Sequence, residues 1–274
     1  MNPARIRHSL ILNVHNKDWL IQKVIEGIRL HTQGHYELIV VLDGCTDRSE
    51  AEVRASTCGM ESVHIFSTPD IYETRANNAG ARRACGEFLI FMQDDMVIRE
   101  PGWNLRLQKP FDAFGDVFAV TARTAHNWVA NPDSIHLGMT ADLDDCWCDI
   151  CRVADPADRS NTPRDVFAVR ATVNRGPLMV SAADFRRMGC FDEIYAPLDM
   201  DEHDLMFRAR SSLGKVCGCY WVDFESKNEW GGTRAGGQTA SWMLRANHKN
   251  MKIFYGRHRK TIRKKYPNQN RLLP

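Results

Sequence analysis

The chain has 274 residues, of which 43% are hydrophobic and 26% are charged, and its formal net charge at pH 7 is +2. This composition is ordinary for a soluble globular protein, and no apolar run approaches the ~18 residues that a membrane-spanning helix needs. The apolar stretch after the first seven residues is too short for a secretion signal, so we expect a cytoplasmic protein with one large domain or two small ones.

The charge is unevenly distributed along the chain. Residues 245–274 contain ten Lys or Arg and no acid, which leaves 26 bases against 34 acids in residues 1–244. A basic segment on an acidic body suggests an anionic partner. The scarcity of aromatic residues in the segment argues against nucleic acid. We therefore expect either attachment to the anionic inner face of a membrane or a solvated, disordered tail.

Nine cysteines are scattered through the sequence. An odd number without framework spacing favours free thiols over disulfides in a chain of this size. Cys146, Cys148 and Cys151 lie close together, but they are one ligand short of a structural zinc site. Cys190 or His136 would have to complete it, and we favour thiols packed beneath a loop over a zinc site.

Hydrophobic periodicity predicts alternating strands and helices in the first third of the chain. Strands are expected at residues 9–14, 37–42, 63–66 and 87–92, and helices at residues 18–30 and 74–84. Elements that alternate at this spacing imply right-handed crossovers and a parallel sheet.

The rest of the chain is less regular. Strands are predicted at residues 117–122, 178–180 and 216–224, the last interrupted at Gly218, and helices at residues 182–188 and 201–210. Residues 123–172 are expected to be rich in loops, and the glycines of residues 229–237 to make that segment mobile. We expect a single α/β domain over residues 1–244, with a nucleotide-binding half (1–100), an acceptor-binding half (101–244) and a basic tail (245–274).

Two adjacent acids, Asp94 and Asp95, directly follow the hydrophobic run of residues 88–92. Such a run is typical of a strand that is covered on both faces, and its carboxyl end is the edge where open α/β sheets bind ligands. Two neighbouring carboxylates repel each other unless a cation joins them. Because Mg²⁺ and Mn²⁺ prefer carboxylate, phosphate and water oxygens, the sequence predicts a metal site for a phosphorylated ligand.

Five blocks of sequence occur in a specific order around these acids. They are Leu10-Ile11-Leu12-Asn13-Val14-His15-Asn16, Val40-Val41-Leu42-Asp43-Gly44-Cys45-Thr46-Asp47, Glu73-Thr74-Arg75-Ala76-Asn77-Asn78-Ala79-Gly80, Met92-Gln93-Asp94-Asp95-Met96, and Met188-Gly189-Cys190-Phe191-Asp192-Glu193 with Asp201-Glu202-His203-Asp204-Leu205 and Arg208. Together they resemble family 2 glycosyltransferases of the GT-A fold, an α/β fold with a Rossmann-like, mostly parallel central sheet flanked by helices. The resemblance extends from about residue 9 to residue 224.

The resemblance implies an inverting enzyme that uses Mn²⁺ or Mg²⁺ and a nucleoside diphosphate sugar of the UDP, GDP or dTDP type. The acceptor would be a glycan, a lipid-linked molecule or a small molecule. The chain lacks the Gln-X-X-Arg-Trp motif of processive relatives, which implies the addition of a single sugar.

The resemblance also assigns the donor-binding residues. It implies that Asn13, Val14 and His15 meet the nucleotide and that Asp43 accepts a hydrogen bond from the base. Arg75 matches a position that reaches the base or the diphosphate, for which a guanidinium is well suited. The alternatives are that Asp43 only shapes a turn and that Arg75 is an exposed helix residue.

In the fourth block, the resemblance makes Asp95 the direct metal ligand. Asp94 supports that ligand or contacts the ribose of the donor.

The resemblance places Glu202 at the position of the catalytic base, with Asp201 as the fallback. The family pattern Glu-Asp-X-Asp-Leu reads Asp-Glu-His-Asp-Leu here, so the first two acids are exchanged. Inverting transfer needs a base that removes the proton of the acceptor hydroxyl, a role worth ~10²–10⁴-fold in rate. The alternative is that both acids only stabilise the first turn of a helix.

The chain also departs from the family pattern. Leu42 and Gln93 stand where acids are usual, and residues 225–232 lack the histidine that many relatives use near the metal or the diphosphate. Glu229 and His248 are the candidate replacements, and Trp230 is expected either to stack on a sugar or to pack in the core.

These departures leave open a catalytically inactive, glycosyltransferase-like binding protein. A sugar nucleotidyltransferase is less favoured, because no Gly-rich basic loop follows the first strand.

Overall fold

The computed structural model describes residues 6–122, 124–128, 146–151, 164–197, 199–231, 241–262 and 269–273. The strands in them are β1 (His8–Val14), β2 (Tyr36–Asp43), β3 (Val63–Thr68), β4 (Phe88–Met92), β5 (Val97–Ile98), β6 (Val117–Thr121), β7 (Thr124–Trp128), β8 (Cys146–Cys151), β9 (Val166–Arg170), β10 (Thr172–Val173), β11 (Leu178–Ser181), β12 (Val216–Cys219), β13 (Phe224–Glu225) and β14 (Gln269–Leu272). The helices are α1 (Ile21–His31), α2 (Ser49–Ser56), α3 (Tyr72–Arg83), α4 (Trp103–Ala113), α5 (Ala182–Arg187), α6 (Asp201–Leu213) and α7 (Ser241–Ile262), with 3₁₀ turns at Glu193–Tyr195 and Asn228–Trp230. None of the described helices is both long enough and apolar enough to cross a membrane.

Nine strands form the central sheet, in the order β14-β9-β12-β6-β11-β4-β1-β2-β3. β3, β2, β1 and β4 are parallel neighbours, and only β11 and β9 run against the common direction. The predicted α/β fold with a mostly parallel sheet is therefore confirmed. Two small sheets, β10-β7-β8 and β13-β5, lie outside it.

Successive residues of the central strands enter two hydrophobic cores on opposite faces of the sheet. Leu10, Leu12 and Ile90 lie in a core that includes α1 and α4, whereas Ile11 and Phe91 lie in a core that includes α3, α5 and α6. Because both faces are covered, the strands read as continuous apolar runs in the sequence. This double burial fixes the position of the residues that follow β1, β2 and β4.

Residues 123–172 contain more regular structure than predicted. β9 lies between β12 and β14 in the central sheet, and β7 pairs with β8 and β10. The prediction of a loop-rich segment was wrong for these strands. Their partners are distant in sequence, and the many Asp and Pro residues around them hide their short apolar pattern.

The strand predicted at residues 216–224 is two strands, β12 and β13, and Gly218 does not interrupt the first. β12 pairs with β6 on one side and with β9 on the other. A Cβ atom at Gly218 would lie 2.4 Å from the carbonyl oxygen of Ala168 and 2.7 Å from the ring of Phe167. Glycine is required here because β9 approaches closely, and not because the strand bends.

The C-terminal residues are part of the fold where the structure describes them, which corrects the expectation of a solvated or disordered tail. The expected boundary at residue 244 falls inside α7, which packs against α6, and β14 forms an edge of the central sheet. Arg257 Nη1 lies 2.6 Å from Asp192, and Arg271 binds both carboxylate oxygens of Asp116 at 2.6 and 2.9 Å. Part of the uneven charge of the sequence is therefore neutralised within the fold.

The cysteines whose side chains are described, six in number, are free thiols, as predicted. The side chains of Cys146, Cys148 and Cys151 and the whole of His136 lie outside the described residues, so the zinc site stays a prediction. The glycines predicted to be mobile also lie outside them, apart from Gly231.

The packing of α7 predicts that Phe254→Ala lowers the free energy of unfolding by about 3–5 kcal/mol, because this ring is fully buried beside Phe207. Urea denaturation measures the change. Lys252→Ala, on the exposed side of the same helix, is the matched control and should cost less than about 0.5 kcal/mol. Equally small losses in both variants would show that α7 is not held to the body of the protein.

Candidate active site

A cavity opens at the carboxyl ends of β1, β2 and β4. Six of the residues predicted for donor and metal binding border it: Asn13, Val14, His15, Asp43, Asp94 and Asp95. Parallel strands end at one edge of a sheet, so three segments that are far apart in sequence meet there. The cavity lies at the edge where the sequence predicts the site.

Asp94 and Asp95 have different surroundings. Asp94 Oδ2 accepts a hydrogen bond from the backbone N–H of His15 at 2.9 Å, and Oδ1 lies 3.6 Å from Lys17 Nζ. Burial raises the pKa of Asp94 to about 6, although Lys17 opposes this shift. Asp95 Oδ1 is buried and has no hydrogen-bond partner among the described residues.

This pair of carboxylates fits a divalent cation. An unsatisfied buried carboxylate oxygen is rare in proteins and signals a missing partner. The described residues contain no cluster of three or more His, Cys, Asp or Glu side chains that could hold a metal ion. A cation at Asp95 would therefore take its remaining ligands from water and phosphate oxygens, as Mg²⁺ commonly does.

Asp43 is held by the turn that precedes α3. Its Oδ1 accepts hydrogen bonds from the Thr68 hydroxyl and the N–H of Ile71, and its Oδ2 accepts one from the N–H of Tyr72, all at 2.8 Å. The turn-shaping alternative therefore agrees with the structure. Asp43 also borders the cavity, so this carboxylate can still meet a ligand there.

Two other side chains carry unsatisfied polar atoms at the cavity. Both amide atoms of Asn13 and the Nε1 of Trp242 are buried without a hydrogen-bond partner among the described residues. The rings of Trp242 and Tyr72 meet edge to face at a centroid distance of 5.5 Å, and both residues border the cavity. These groups can offer an amide and two aromatic rings to a nucleotide or a sugar.

Trp230, for which the sequence left stacking on a sugar and packing in the core open, does not border the cavity. Trp230 is 8% exposed and belongs to the hydrophobic core, so the packing alternative describes it. Neither Glu229 nor His248, the candidate replacements for the histidine of relatives, borders the cavity.

Arg75 does not border the cavity either. Its side chain is about half exposed, and its Nε lies 3.5 Å from Glu193 Oε2. The exposed-helix alternative therefore describes Arg75, because α3 directs it toward the 3₁₀ turn at Glu193–Tyr195 rather than toward the strand ends.

A second charged cluster lies beside the cavity and is centred on Arg175. Its Nη1 and Nη2 each donate to Asp201 at 2.8 Å, and Nη2 also donates to Glu202 Oε2 at 3.2 Å. Its Nε lies 3.3 Å from Oε1 of Glu73, which borders the cavity and accepts a hydrogen bond from Gln93 at 3.3 Å. The cluster is thus connected to the segment that carries the two aspartates.

The two acids at the start of α6 differ in their affinity for protons. Burial opposes the ionisation of Asp201, but Arg175 outweighs this effect and lowers the pKa of Asp201. Burial raises the pKa of Glu202 well above its ordinary value; Arg175 opposes that shift and Asp201 adds to it. Neither acid borders the cavity itself. Asp201 engages Arg175 through both oxygens, which leaves Glu202 the freer of the two.

Sequence reasoning did not identify four residues in this region: Lys17, Tyr72, Arg175 and Trp242. No motif or periodicity marks them, because their roles depend on distant neighbours. Lys17, for example, contacts the carbonyl group of a residue 213 positions away.

Comparison with known proteins agrees with this architecture. The sequence profile of glycosyl transferase family 2 matches residues 9–174, more than half of the chain. The chain belongs to glycosyl transferase family 2. None of the curated protein sequences compared with it gives a significant match.

Solved structures with the same fold are distant in sequence from this family 2 chain. A mannosyltransferase from Pyrobaculum calidifontis, solved with GDP-Man and Mn²⁺, is 17% identical with a TM-score of 0.61, over 96% of this chain and 66% of that one. Glucosyl-3-phosphoglycerate synthase from Mycobacterium tuberculosis, solved with Mn²⁺, UDP-Glc and phosphoglyceric acid, is 17% identical with a TM-score of 0.59, over 92% and 80%. S. aureus TarS is 12% identical with a TM-score of 0.55, over 81% and 61%. The chain spans less than two thirds of the TarS chain and about two thirds of the mannosyltransferase, and the likeness confirms the GT-A fold.

Proposed function

We propose that this protein transfers one sugar from a nucleoside diphosphate sugar to an acceptor hydroxyl group and inverts the anomeric configuration. The observation that carries the proposal is the buried, unsatisfied Oδ1 of Asp95 beside Asp94, at the edge where the strands of a family 2 glycosyltransferase end. The solved structures of this fold contain GDP-Man or UDP-Glc, so GDP and UDP donors are the first to test, followed by dTDP donors.

The cavity supplies the contacts for the donor. Asn13 has free amide atoms that can pair with a base or a ribose, and Tyr72 and Trp242 offer aromatic faces on which a base can stack. Val14 and His15 form part of the adjoining wall. Asp95, supported by Asp94, would hold Mn²⁺ or Mg²⁺, which as a Lewis acid neutralises charge on the departing diphosphate.

Glu202 is the proposed base. Its raised pKa makes it a stronger proton acceptor than an ordinary glutamate, and Arg175 holds it through Oε2. Asp201 is fully buried and fixes Arg175 in place, so its proposed role is to orient the cluster. With an acceptor bound, Glu202 must lie within ~3 Å of the hydroxyl, directly or through one water molecule. A screen of glycans, lipid-linked molecules and small molecules as acceptors would identify the acceptor class.

Asp95→Asn should strongly weaken the metal-dependent binding of nucleoside diphosphates. Calorimetric titration with UDP and GDP should show tight binding to the wild type only with Mn²⁺, and affinity lower by about tenfold or more in the variant, which is ~1.4 kcal/mol or more. Asp112→Asn, at an exposed position on α4, is the matched control. Wild-type affinity in Asp95→Asn would contradict the metal role. Binding without turnover of any donor would favour the inactive binding protein.

Glu202→Gln should leave donor binding unchanged and lower kcat by ~10²–10⁴-fold. In the wild type, release of UDP or GDP from the donor should rise with pH as Glu202 loses its proton, with a midpoint above the usual glutamate value because the pKa is raised. The variant should lose this limb of the pH profile. Normal transfer by Glu202→Gln would move the base to Asp201 or to another group.

The predicted anionic membrane surface has a matching feature on α7. Four exposed cations, Arg245, Lys249, Lys252 and Lys260, lie along the side of the helix opposite Phe254 and extend over ~22 Å. Each cation near an anionic bilayer contributes about 1 kcal/mol of binding free energy. The stripe supports the proposal of a peripheral position on an anionic membrane.

Replacing Arg245, Lys249 and Lys252 with Gln should therefore weaken sedimentation with phosphatidylserine vesicles and leave the weak binding to phosphatidylcholine vesicles unchanged. Gln at three exposed bases elsewhere (Lys23, Arg29 and Lys109) is the matched control. Equal binding by both triple variants would remove the membrane proposal. Deleting the C-terminus is not a clean test, because α7 is part of the fold.

A further inference from the structure

Lys17 is a buried cation in the wall of the donor cavity. Its side chain is 1% exposed, and its Nζ donates a hydrogen bond to the carbonyl oxygen of Trp230 at 2.5 Å and lies 3.6 Å from Asp94 Oδ1. Its backbone N–H donates to Ser49 Oγ at 2.6 Å, which fixes the start of the side chain next to α2. A buried ammonium is unfavourable unless partners compensate for the loss of water. The position of Lys17 is therefore specified by its neighbours.

The charged side chains around the cavity are mostly carboxylates, so a cation among them reduces their repulsion. Within the described residues its wall carries four carboxylates, Asp43, Glu73, Asp94 and Asp95, whereas Lys17 is the only Lys or Arg. Asp43 is satisfied by backbone and hydroxyl donors and Glu73 pairs with Arg175. A nucleoside diphosphate adds negative charges that one divalent cation beside two carboxylates does not neutralise. A fixed ammonium at this place reduces the remaining repulsion.

The geometry of Lys17 also connects two separate parts of the site. An ammonium has three N–H donors and no acceptor. Among the described residues, one of them is used by the carbonyl oxygen of Trp230 and one faces Asp94, which leaves a third for a phosphate oxygen. Gly231, which follows Trp230, borders the cavity as well. Through the carbonyl of Trp230, Lys17 is bonded to the backbone directly before Gly231.

We infer that Lys17 binds an oxygen of the donor diphosphate and tethers residues 228–231 beside it. The resemblance leads one to expect a histidine after β13, near the metal or the diphosphate. Lys17 takes that place at the diphosphate, because neither Glu229 nor His248 borders the cavity. The inference rests on the proposed function, since it assigns a residue to the same donor site. The inference concerns the diphosphate and not the base, so an experiment can test it separately from the proposed function.

The test compares nucleoside diphosphates with monophosphates in the presence of Mn²⁺. Calorimetric affinities of UDP, UMP, GDP and GMP are measured for the wild type, Lys17→Met and Lys17→Gln; Gln keeps a hydrogen-bond donor for Trp230 but no charge. Both variants should lose about tenfold or more in affinity for the diphosphate, the change expected for one charge-assisted hydrogen bond. The affinity for the monophosphate should change by less than about threefold.

The matched control is Lys227→Met. Lys227 is half exposed, and its Nζ lies 5.0 Å from the ring centroid of Trp230, but it does not border the cavity. It should bind both nucleotides like the wild type. Diphosphate affinity unchanged in Lys17→Gln, or equal losses for diphosphate and monophosphate, would overturn the inference while leaving the proposed function in place. A wild type that binds no nucleotide with Mn²⁺ would overturn the proposed function itself.

Discussion

The repulsion between two neighbouring carboxylates at the end of a buried strand is the constraint on which the site depends. β4 lies between β1 and β11 and is covered on both faces, which fixes the point of the sheet edge from which Asp94 and Asp95 extend. Asp94 is compensated by the N–H of His15 and by Lys17. Asp95 Oδ1 is left without a partner among the described residues. The strand end is therefore built to take up positive charge.

A second group of charges lies beside the first and is organised in the opposite way. Here a cation, Arg175, lies at the centre and carboxylates surround it. The hydrogen bond from Gln93 to Glu73 links the second group to the residue next to Asp94, so the donor side and the proposed base lie side by side.

The sequence predicted the parts of the fold that local patterns determine. β1, β2 and β4 each contain a run of apolar residues, and the run in β4 locates the two carboxylates that come after it. The positions of β9, β14 and α7 were not predictable in the same way, because they depend on pairing across long stretches of chain. Gly218 suggested that the strand is interrupted. Glycine is needed there because the backbone of β9 lies close to it, which the periodicity of the sequence does not show.

The same difference between local patterns and long-range packing explains which site residues were predicted. Asn13 and Asp43 lie at the carboxyl ends of β1 and β2, Asp95 comes shortly after β4, and the edge of a parallel sheet brings them together. Arg75 was assigned by analogy of position, but α3 directs it toward Glu193. For Trp230 the sequence left stacking on a sugar and packing open, and the ring packs in the core. Lys17 lies in a polar segment that suggests exposure, and only the fold shows that it is buried.

A crystal structure with Mn²⁺ and a nucleoside diphosphate would show directly whether a divalent cation binds at the end of β4. We expect an anomalous scattering peak for manganese within coordination distance of Asp95, with the diphosphate between the ion and Lys17. A well-ordered crystal that shows the nucleotide bound elsewhere, or manganese absent from this strand end at saturating concentration, would contradict it.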